Sequence, residues 1–214
     1  MQSVRDGYDR ISGAYASRYV NELEHKPLDR QLLNRFVTEV EGRGEVCDMG
    51  CGPGHVARYL WGAGARVFGL DLSPRMVEQA RKLNPHISFQ VGDMTALDLP
   101  DGGLAGIVAF YAIVNIPEGS LPKVFREIGR VLQPRGRLLL SFHIGDEVVH
   151  PDELLGQPNS MDFFFFQPLS ITRLLETAGF SVEDMIEREP YSPDVEYQSR
   201  RAYIFAARRE AGAY

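Results

Sequence analysis

At 214 residues the chain suits one α/β domain with a decorated edge and is long enough to bury a full core. A composition of 44% hydrophobic and 24% charged residues is ordinary for a globular protein and excludes a disordered chain; only the closing EAGAY lacks a packing pattern. Lys and Arg number 23 against 29 Asp and Glu, a net charge of −6 with no dense basic block, which speaks against a nucleic-acid partner.

Tyr8, Ile11, Tyr15 and Tyr19 recur at steps of three and four residues and form an aromatic stripe on one face of an N-terminal helix. A second amphipathic helix carries Leu28, Leu32, Phe36, Val37 and Val40 after Pro27 and stops at Gly42, and it reads as scaffold.

The stretch EVCDMGCGPGHVARYLWGAGARVFGLDL organises the rest. It reads as a buried strand (Glu45–Met49), a turn containing Gly50, Gly52 and Gly54, a helix with Val56, Ala57 and Leu60 on one face, and a second strand over 66–70 ending at Asp71. Glycines without Cβ atoms let the backbone turn sharply and approach a ligand, and the turn feeds a helix N-terminus that attracts negative charge. Asp71 lies 21 residues beyond Gly50, at a strand tip where a carboxylate can accept both hydroxyl hydrogens of a ribose. A dinucleotide fingerprint is GxGxxG, with the pyrophosphate on the helix end. Here the spacing is GxGxG, His55 stands where the last glycine would be, and Asp48 just upstream would repel a pyrophosphate but can pair with an ammonium group. Cys47 and Cys51 have no partners for a zinc set, and the five histidines show no ligand spacing, so no metal is expected. Both cysteines read as small packing residues in a reducing, cytoplasmic compartment. With no apolar run of ~20 residues and no signal-peptide core, no membrane partner is expected either.

DMGCGPGHVARYL followed by GLDLSPRMVEQAR resembles the first two motifs of class I S-adenosylmethionine-dependent methyltransferases. The likeness continues through VGDMTALDLPDGGLAGIVAFYAIVNIP and FREIGRVLQPRGRLLLSF, roughly residues 45–142 without a gap. The resemblance implies a single α/β domain: a seven-stranded, mostly parallel sheet with one antiparallel edge strand and helices on both faces. Residues 1–42 would form a helical lid and 145–169 a small substrate cap. It implies S-adenosyl-L-methionine as cofactor, S-adenosyl-L-homocysteine as product, and a small-molecule acceptor methylated on oxygen or nitrogen by a monomer or homodimer. The implied cofactor site takes Tyr8 and Tyr15 from the lid, Asp48, Gly50, Cys51, Gly52 and Gly54 around the first turn, and Asp71. Leu72 and Met76 would flank the ribose and adenine; for Met76 a plain core position is the alternative. Ala105 and Asn115 depart from the acid and the histidine that the family often has at those places.

Further along, Ser73 and Pro74 form an N-cap and a proline start for a helix with Met76, Val77, Ala80 and Leu83. A strand over 87–91 leads to Gly92, Asp93 and Met94. Asp93 is placed either to accept from the adenine amino group or to cap its turn, and Met94 can offer its backbone N–H to the ring. Residues 104–111 are apolar throughout, as a strand covered on both faces should be. Phe110 and Tyr111 leave it beside the expected sulfonium, Tyr111 as pocket wall or as core.

Leu121, Val124, Phe125, Ile128, Val131 and Leu132 define a helix closed by Gln133 and Pro134. The fifth strand, 138–144, carries His143 at its carboxyl end, where a group titrating near neutrality could act as the base or orient the acceptor. A histidine simply hydrogen-bonded within the cap is the alternative. Residues 163–166, four phenylalanines, most simply form a strand or hairpin over the mouth of the site. Ser170 then caps a helix stopped by Gly179, and strands over 180–186 and 202–207 complete the sheet. Arg200 or Arg201 could pair with an acidic substrate, solvent-facing arginines being the alternative. Rival readings are a nicotinamide oxidoreductase, a non-catalytic S-adenosylmethionine binder, and a methyltransferase acting on RNA or protein.

Overall fold

The computed structural model describes residues 2–210, so most of the unpatterned EAGAY tail lies outside the described residues. Helices α1 (Gln2–Tyr19) and α2 (Pro27–Val40) lead, joined through a single 3-10 turn at Glu22–His25. The alternating core follows: β1 (Glu45–Met49), α3 (His55–Gly62), β2 (Arg66–Asp71), α4 (Pro74–Leu83) and β3 (Ser88–Val91). Next come β4 (Leu104–Phe110), α5 (Leu121–Val131) and β5 (Leu132–His143). Four two-residue strands form a cap: β6 (Val148–Val149), β7 (Glu153–Leu154), β8 (Gln157–Pro158) and β9 (Phe163–Phe164). The chain closes with α6 (Pro168–Thr177), β10 (Phe180–Arg188) and β11 (Arg201–Arg208).

The seven-stranded sheet runs β10-β11-β5-β4-β1-β2-β3. Strands β1 to β5 pair in parallel. The reversed strand, β11, lies one in from the edge, antiparallel to both β5 and β10. From β1 the chain steps outward to β2 and β3, then returns to the other side of β1 as β4. Such a reversal leaves a crevice beyond the carboxyl ends of the strands, where open α/β sheets bind ligands.

Strand alternation supplies two cores. Val46, Val67, Val108 and Leu139 face Phe36 of α2, Leu60 of α3 and Val77 of α4. Cys47, Leu70, Ile107 and Leu140 face Val124 and Ile128 of α5 and Ile171 of α6. Both faces of the sheet are therefore covered, which is why its central strands read as unbroken apolar runs. At the start of α4, Ser73 Oγ accepts from the Met76 amide at 3.0 Å with Pro74 behind it, a cap worth about 1 kcal/mol.

Several boundaries differ from expectation. Helix α5 ends at Val131 and passes directly into β5, so Gln133 and Pro134 lie inside the strand rather than closing the helix. They fall in an irregularity of the pairing, where Leu104 faces Leu132 but Gly106 faces Arg137; a bulge tolerates the proline that a regular ladder would reject. Ser170 is not a cap: α6 begins at Pro168 after Gln167, because proline needs no hydrogen-bond acceptor at the first helical position. Strand β3 starts at Ser88, and β4 stops at Phe110 because Tyr111 turns to φ +53°. Among the described residues no helix is long and apolar enough to cross a membrane.

Candidate active site

The crevice is built on the turn after β1. Gly50, at φ +71°, sends its amide to the Leu70 carbonyl at 2.7 Å. A Cβ there would lie 2.7 Å from Cβ of Ala112, where the exit of β4 crosses the loop. Gly54, at φ +81°, starts α3, and a Cβ on it would strike the Phe89 ring at 2.7 Å. Left-handed backbone and close approach both require glycine at these two places.

Two buried carboxylates flank the turn. Asp48 Oδ2 accepts from the Ala57 amide in the first turn of α3 at 2.8 Å. Burial, reinforced by Asp71, pushes its carboxyl up to about 7, against the nearby His55 and that amide. Asp71 accepts from the Gly52 amide on Oδ2 and from the Ser73 amide on Oδ1, both at 2.8 Å. Burial pushes it up to about 6 in spite of those two bonds. Each carboxylate oxygen has a further lone pair, so both acids can still accept from a ligand.

Cys51 and Gly52 of the turn, Leu72 and Met76 at the start of α4, Met94 beyond β3, and Phe110 complete the walls of this crevice of about 90 Å³. Gly54, Gly92 and Asp93 are not among the residues lining it. Gly92 donates its amide to the Asp71 carbonyl at 2.9 Å, and Asp93 Oδ1 accepts from the Thr95 amide at 2.8 Å. Of the two roles open to Asp93, the structure shows it capping its turn.

Helix α1 lies over the crevice. Tyr8 donates its hydroxyl to Asn115 Oδ1 at 2.8 Å, and Asn115 in turn donates to the Asp162 carbonyl of the cap at 2.7 Å. Asp9 Oδ1 accepts from Ser73 Oγ at 2.5 Å and from the Arg75 amide at 3.1 Å, which pins α1 to the start of α4. Tyr15 packs between Tyr8 and Tyr19, with ring centroids 6.0 and 4.5 Å away.

A second cavity, about 280 Å³, shares Tyr8, Tyr15, Glu22 and Tyr111 with the first. Its roof is the cap. Strand β9 pairs with β6, so Phe163 and Phe165 face the cavity while Phe164 and Phe166 pack on the core. Tyr111 holds its left-handed backbone with its amide on the Ser141 carbonyl at 3.0 Å, and its hydroxyl stands 3.3 Å from that of Tyr203. For a bulky residue that conformation is an outlier of the kind found at ligand sites. Burial, with Asp29 nearby, pushes the Tyr111 phenol up to about 12.

His143 also lines this cavity, stacked on Phe165 at 5.0 Å with Nδ1 2.7 Å from Ser199 Oγ. Burial first, then Arg201, pushes its imidazole down to about 3. The expectation that it titrates near neutrality does not hold: it stays neutral at physiological pH and offers little as a proton acceptor. It does stand at the carboxyl end of β5, in the wall of this second cavity.

Sequence reasoning missed the charged floor. Lys26 is 3% exposed, with Nζ 2.6 Å from Glu22 and 3.4 Å from Glu196. Glu196 also holds Arg188 at 2.5 Å and faces Arg201 at 3.2 Å. The two consecutive arginines part company: Arg200 is half exposed against Glu187 and Glu189, while Arg201 is 2% exposed and lines the cavity. The alternation of β11 was the one available signal, since it turns neighbouring residues to opposite sides. Among the described residues no group of His, Cys, Asp or Glu is arranged to hold a metal ion.

Residues 46–136 match a family described as a methyltransferase domain. A malonyl-[acyl-carrier protein] O-methyltransferase of Serratia marcescens is 33% identical over 146 residues, 65% of this chain and 52% of that protein. Residues 46–136 are thus a methyltransferase domain of the S-adenosylmethionine-dependent kind. A demethylmenaquinone methyltransferase of Symbiobacterium thermophilum is 28% identical over 149 residues, 64% of this chain and 58% of that one. The magnesium protoporphyrin IX methyltransferase of Synechocystis PCC 6803, solved with bound S-adenosylmethionine, shares the fold: TM-score 0.69, 20% identity, 96% of this chain and 95% of that one covered. The chain spans about half the length of the curated relatives it matches.

The cofactor of this family is S-adenosylmethionine, and the crevice fits it chemically. It offers two acid acceptors, apolar walls and a glycine turn, and among the described residues no Lys or Arg lines it to meet a pyrophosphate. With α1 over it, the crevice has a volume of about 90 Å³, well below the several hundred of an ordinary ligand pocket. The two carboxylates set a pH dependence. A ligand that donates hydrogen bonds and carries an ammonium favours their ionised forms, so binding strengthens as pH rises through their raised values and levels off above them. Calorimetry with S-adenosylhomocysteine should show affinity falling between about pH 7.5 and about pH 5.5, far above the ordinary carboxylate range near 4. Equal affinity at both ends would reject the assignment of these two acids.

Proposed function

We propose that this chain transfers the sulfonium methyl of S-adenosylmethionine to an oxygen or nitrogen of a small molecule held in the 280 Å³ cavity. The observation that carries this reading is the shared wall: Tyr8, Tyr15, Glu22 and Tyr111 border both spaces, so the cofactor crevice adjoins a cap-covered aromatic chamber. That chamber suits a small molecule better than a polymer, and the net charge of −6 argues the same way against nucleic acid. Buried, unpaired Cys47 and Cys51 fit a reducing, cytoplasmic setting.

Bound in the crevice, the cofactor supplies an electrophilic methyl on a cationic sulfur. Asp71 holds the ribose hydroxyls, Asp48 faces the ammonium end, and Leu72, Met76 and Met94 enclose the base. The α1 lid and the cap over 145–169 exclude water and fix the acceptor against Tyr111, which is how alignment accelerates such a displacement. His143 orients the acceptor as a neutral ring.

The test is a thermal-shift comparison followed by an acceptor screen read as S-adenosylhomocysteine production. S-adenosylhomocysteine should raise the melting temperature and NADH should not. Stabilisation by NADH alone would overturn the reading.

A further inference from the structure

The cavity wall sets two cations, Lys26 and Arg201, beside two carboxylates, Glu22 and Glu196. Lys26 and Arg201, both almost fully buried, share Glu196 with Arg188, which takes that carboxylate through two bonds of 2.5 and 3.0 Å. One carboxylate thus faces three cations. Glu22 is divided between Lys26 and His55 Nε2 at 2.7 Å, and Asp29 lies behind, bonded to Arg188 and to the Tyr203 hydroxyl. Arg201 Nε stands 3.2 Å from Glu196 without hydrogen-bond geometry, so that donor is held by charge alone. His143 reports the local field: besides burial, Arg201, Lys26 and Arg188 all disfavour its protonation, and among the larger influences only Glu196 opposes them.

Both wall cations sit next to the place where the two cavities meet. Lys26 Nζ is 5.4 Å and the Arg201 guanidinium 5.7 Å from the centre of the Tyr111 ring, which borders both spaces. Leu154, Phe163 and Phe165 give the same cavity an apolar lining.

Resting on the methyl-transfer reading above, we propose that the acceptor is an organic acid whose anionic oxygen, seated beside Lys26 and Arg201, is the atom methylated. Its apolar body lies under the cap. A lone pair of that oxygen forms the new C–O bond, and the C–S pair returns to sulfur as the methyl leaves. The products are a neutral ester or ether and the neutral thioether S-adenosylhomocysteine. No proton changes hands, so the step works without the base that His143 does not provide. An amine is the poorer fit: its ammonium form would sit beside a buried lysine ammonium, and both carboxylates that could attract it are already paired. The volume sets the size. About 280 Å³ is roughly twice the ~150 Å³ cavity that admits benzene, which points to about 10–14 non-hydrogen atoms.

The test uses the whole chain with cinnamate, 4-phenylbutanoate and octanoate, each beside its amide and its amine. Binding is measured by calorimetry with S-adenosylhomocysteine present, and turnover with S-adenosylmethionine by mass detection of the methylated product. At least one acid should bind about tenfold or more tighter than its amide and be methylated on oxygen. Lys26→Gln should weaken that acid about tenfold while leaving the affinity for S-adenosylhomocysteine within about twofold. Should that variant not fold, the comparison of acid with amide on the unaltered chain decides. Amide or amine bound as tightly as the acid, methylation of the amine in preference, or no binding of any acid would overturn the proposal while leaving methyl transfer standing. Failure of S-adenosylhomocysteine to bind would instead remove the cofactor reading, and this inference with it.

Discussion

Asp71→Ala will weaken binding of S-adenosylhomocysteine by on the order of 2–4 kcal/mol, the range for losing hydrogen bonds to a charged acceptor, or roughly 30- to 700-fold in Kd. The carboxylate stands at the tip of β2 with one oxygen on the Gly52 amide of the glycine turn and the other on the Ser73 amide at the start of α4. It therefore acts twice, as a ligand acceptor and as the brace that shapes the turn. Asp71→Asn separates the two roles, since the amide oxygen keeps one bond to the turn while the charge is lost. Stability should respond differently from affinity. Burial raises the folded value of Asp71 to about 6, so in the ligand-free protein its charge is unfavourable near neutral pH. That penalty is fully present above the raised value and is relieved as pH falls through it. At pH 7 to 8 the asparagine variant should thus unfold at nearly the temperature of the unaltered chain while binding far more weakly, as expected where function holds a strained charge in place. Unchanged affinity for S-adenosylhomocysteine in either variant would reject the ribose assignment.

What could be read along the chain is what is local. The glycine turn, the cap at Ser73 and the apolar run of β4 are written within a dozen residues, and the structure places them where those patterns predict. Boundaries failed where tertiary pairing overrode local signals: Gln133 and Pro134 read as a helix stop, yet lie in a bulge of β5 between the residues Leu132 and Arg137 that pair with β4. The acceptor side was hidden for a related reason. Lys26 reads as a polar residue before a proline and Asp29 as an ordinary acid in the first turn of α2. Only the fold brings Asp29 to Arg188, 159 positions on, and to Tyr203, 174 positions on. His143 was legible as a strand-end residue but not as a neutral one, because the burial that chiefly depresses it, and the Arg201 of β11 that adds to it, arise only in the fold. A motif can name a cofactor, whereas the acceptor is recognised by side chains that meet only once the sheet has closed.

The strongest stability effect should come from Glu196, the hub of that buried assembly. Glu196→Gln keeps the shape of the side chain and removes its charge, leaving Arg188, Arg201 and Lys26 around a neutral amide. Breaking a buried ion pair from one side typically destabilises by about 3–5 kcal/mol, because the remaining charge is left without compensation. Lys26 keeps Glu22 and Arg188 keeps Asp29, so Arg201 is the cation left without a carboxylate and the expected loss lies at the lower end of that range. Urea unfolding of both chains measures it, and a difference under about 1 kcal/mol would show that the cations do not depend on Glu196. The acid limb gives an independent check of sign. Against the pull of burial, Arg188 and the Tyr191 amide hold the Glu196 carboxyl below its ordinary value. A carboxylate depressed in this way contributes fully above its unfolded value of about 4.3, and the contribution disappears as pH falls through the lower folded value. The unaltered chain should therefore lose stability more steeply below about pH 4 than Glu196→Gln does, and the two curves should converge in acid. Because Glu196 borders the acceptor cavity and not the cofactor crevice, the folded variant should still bind S-adenosylhomocysteine as tightly as before. Its loss is confined to stability and to the acceptor side.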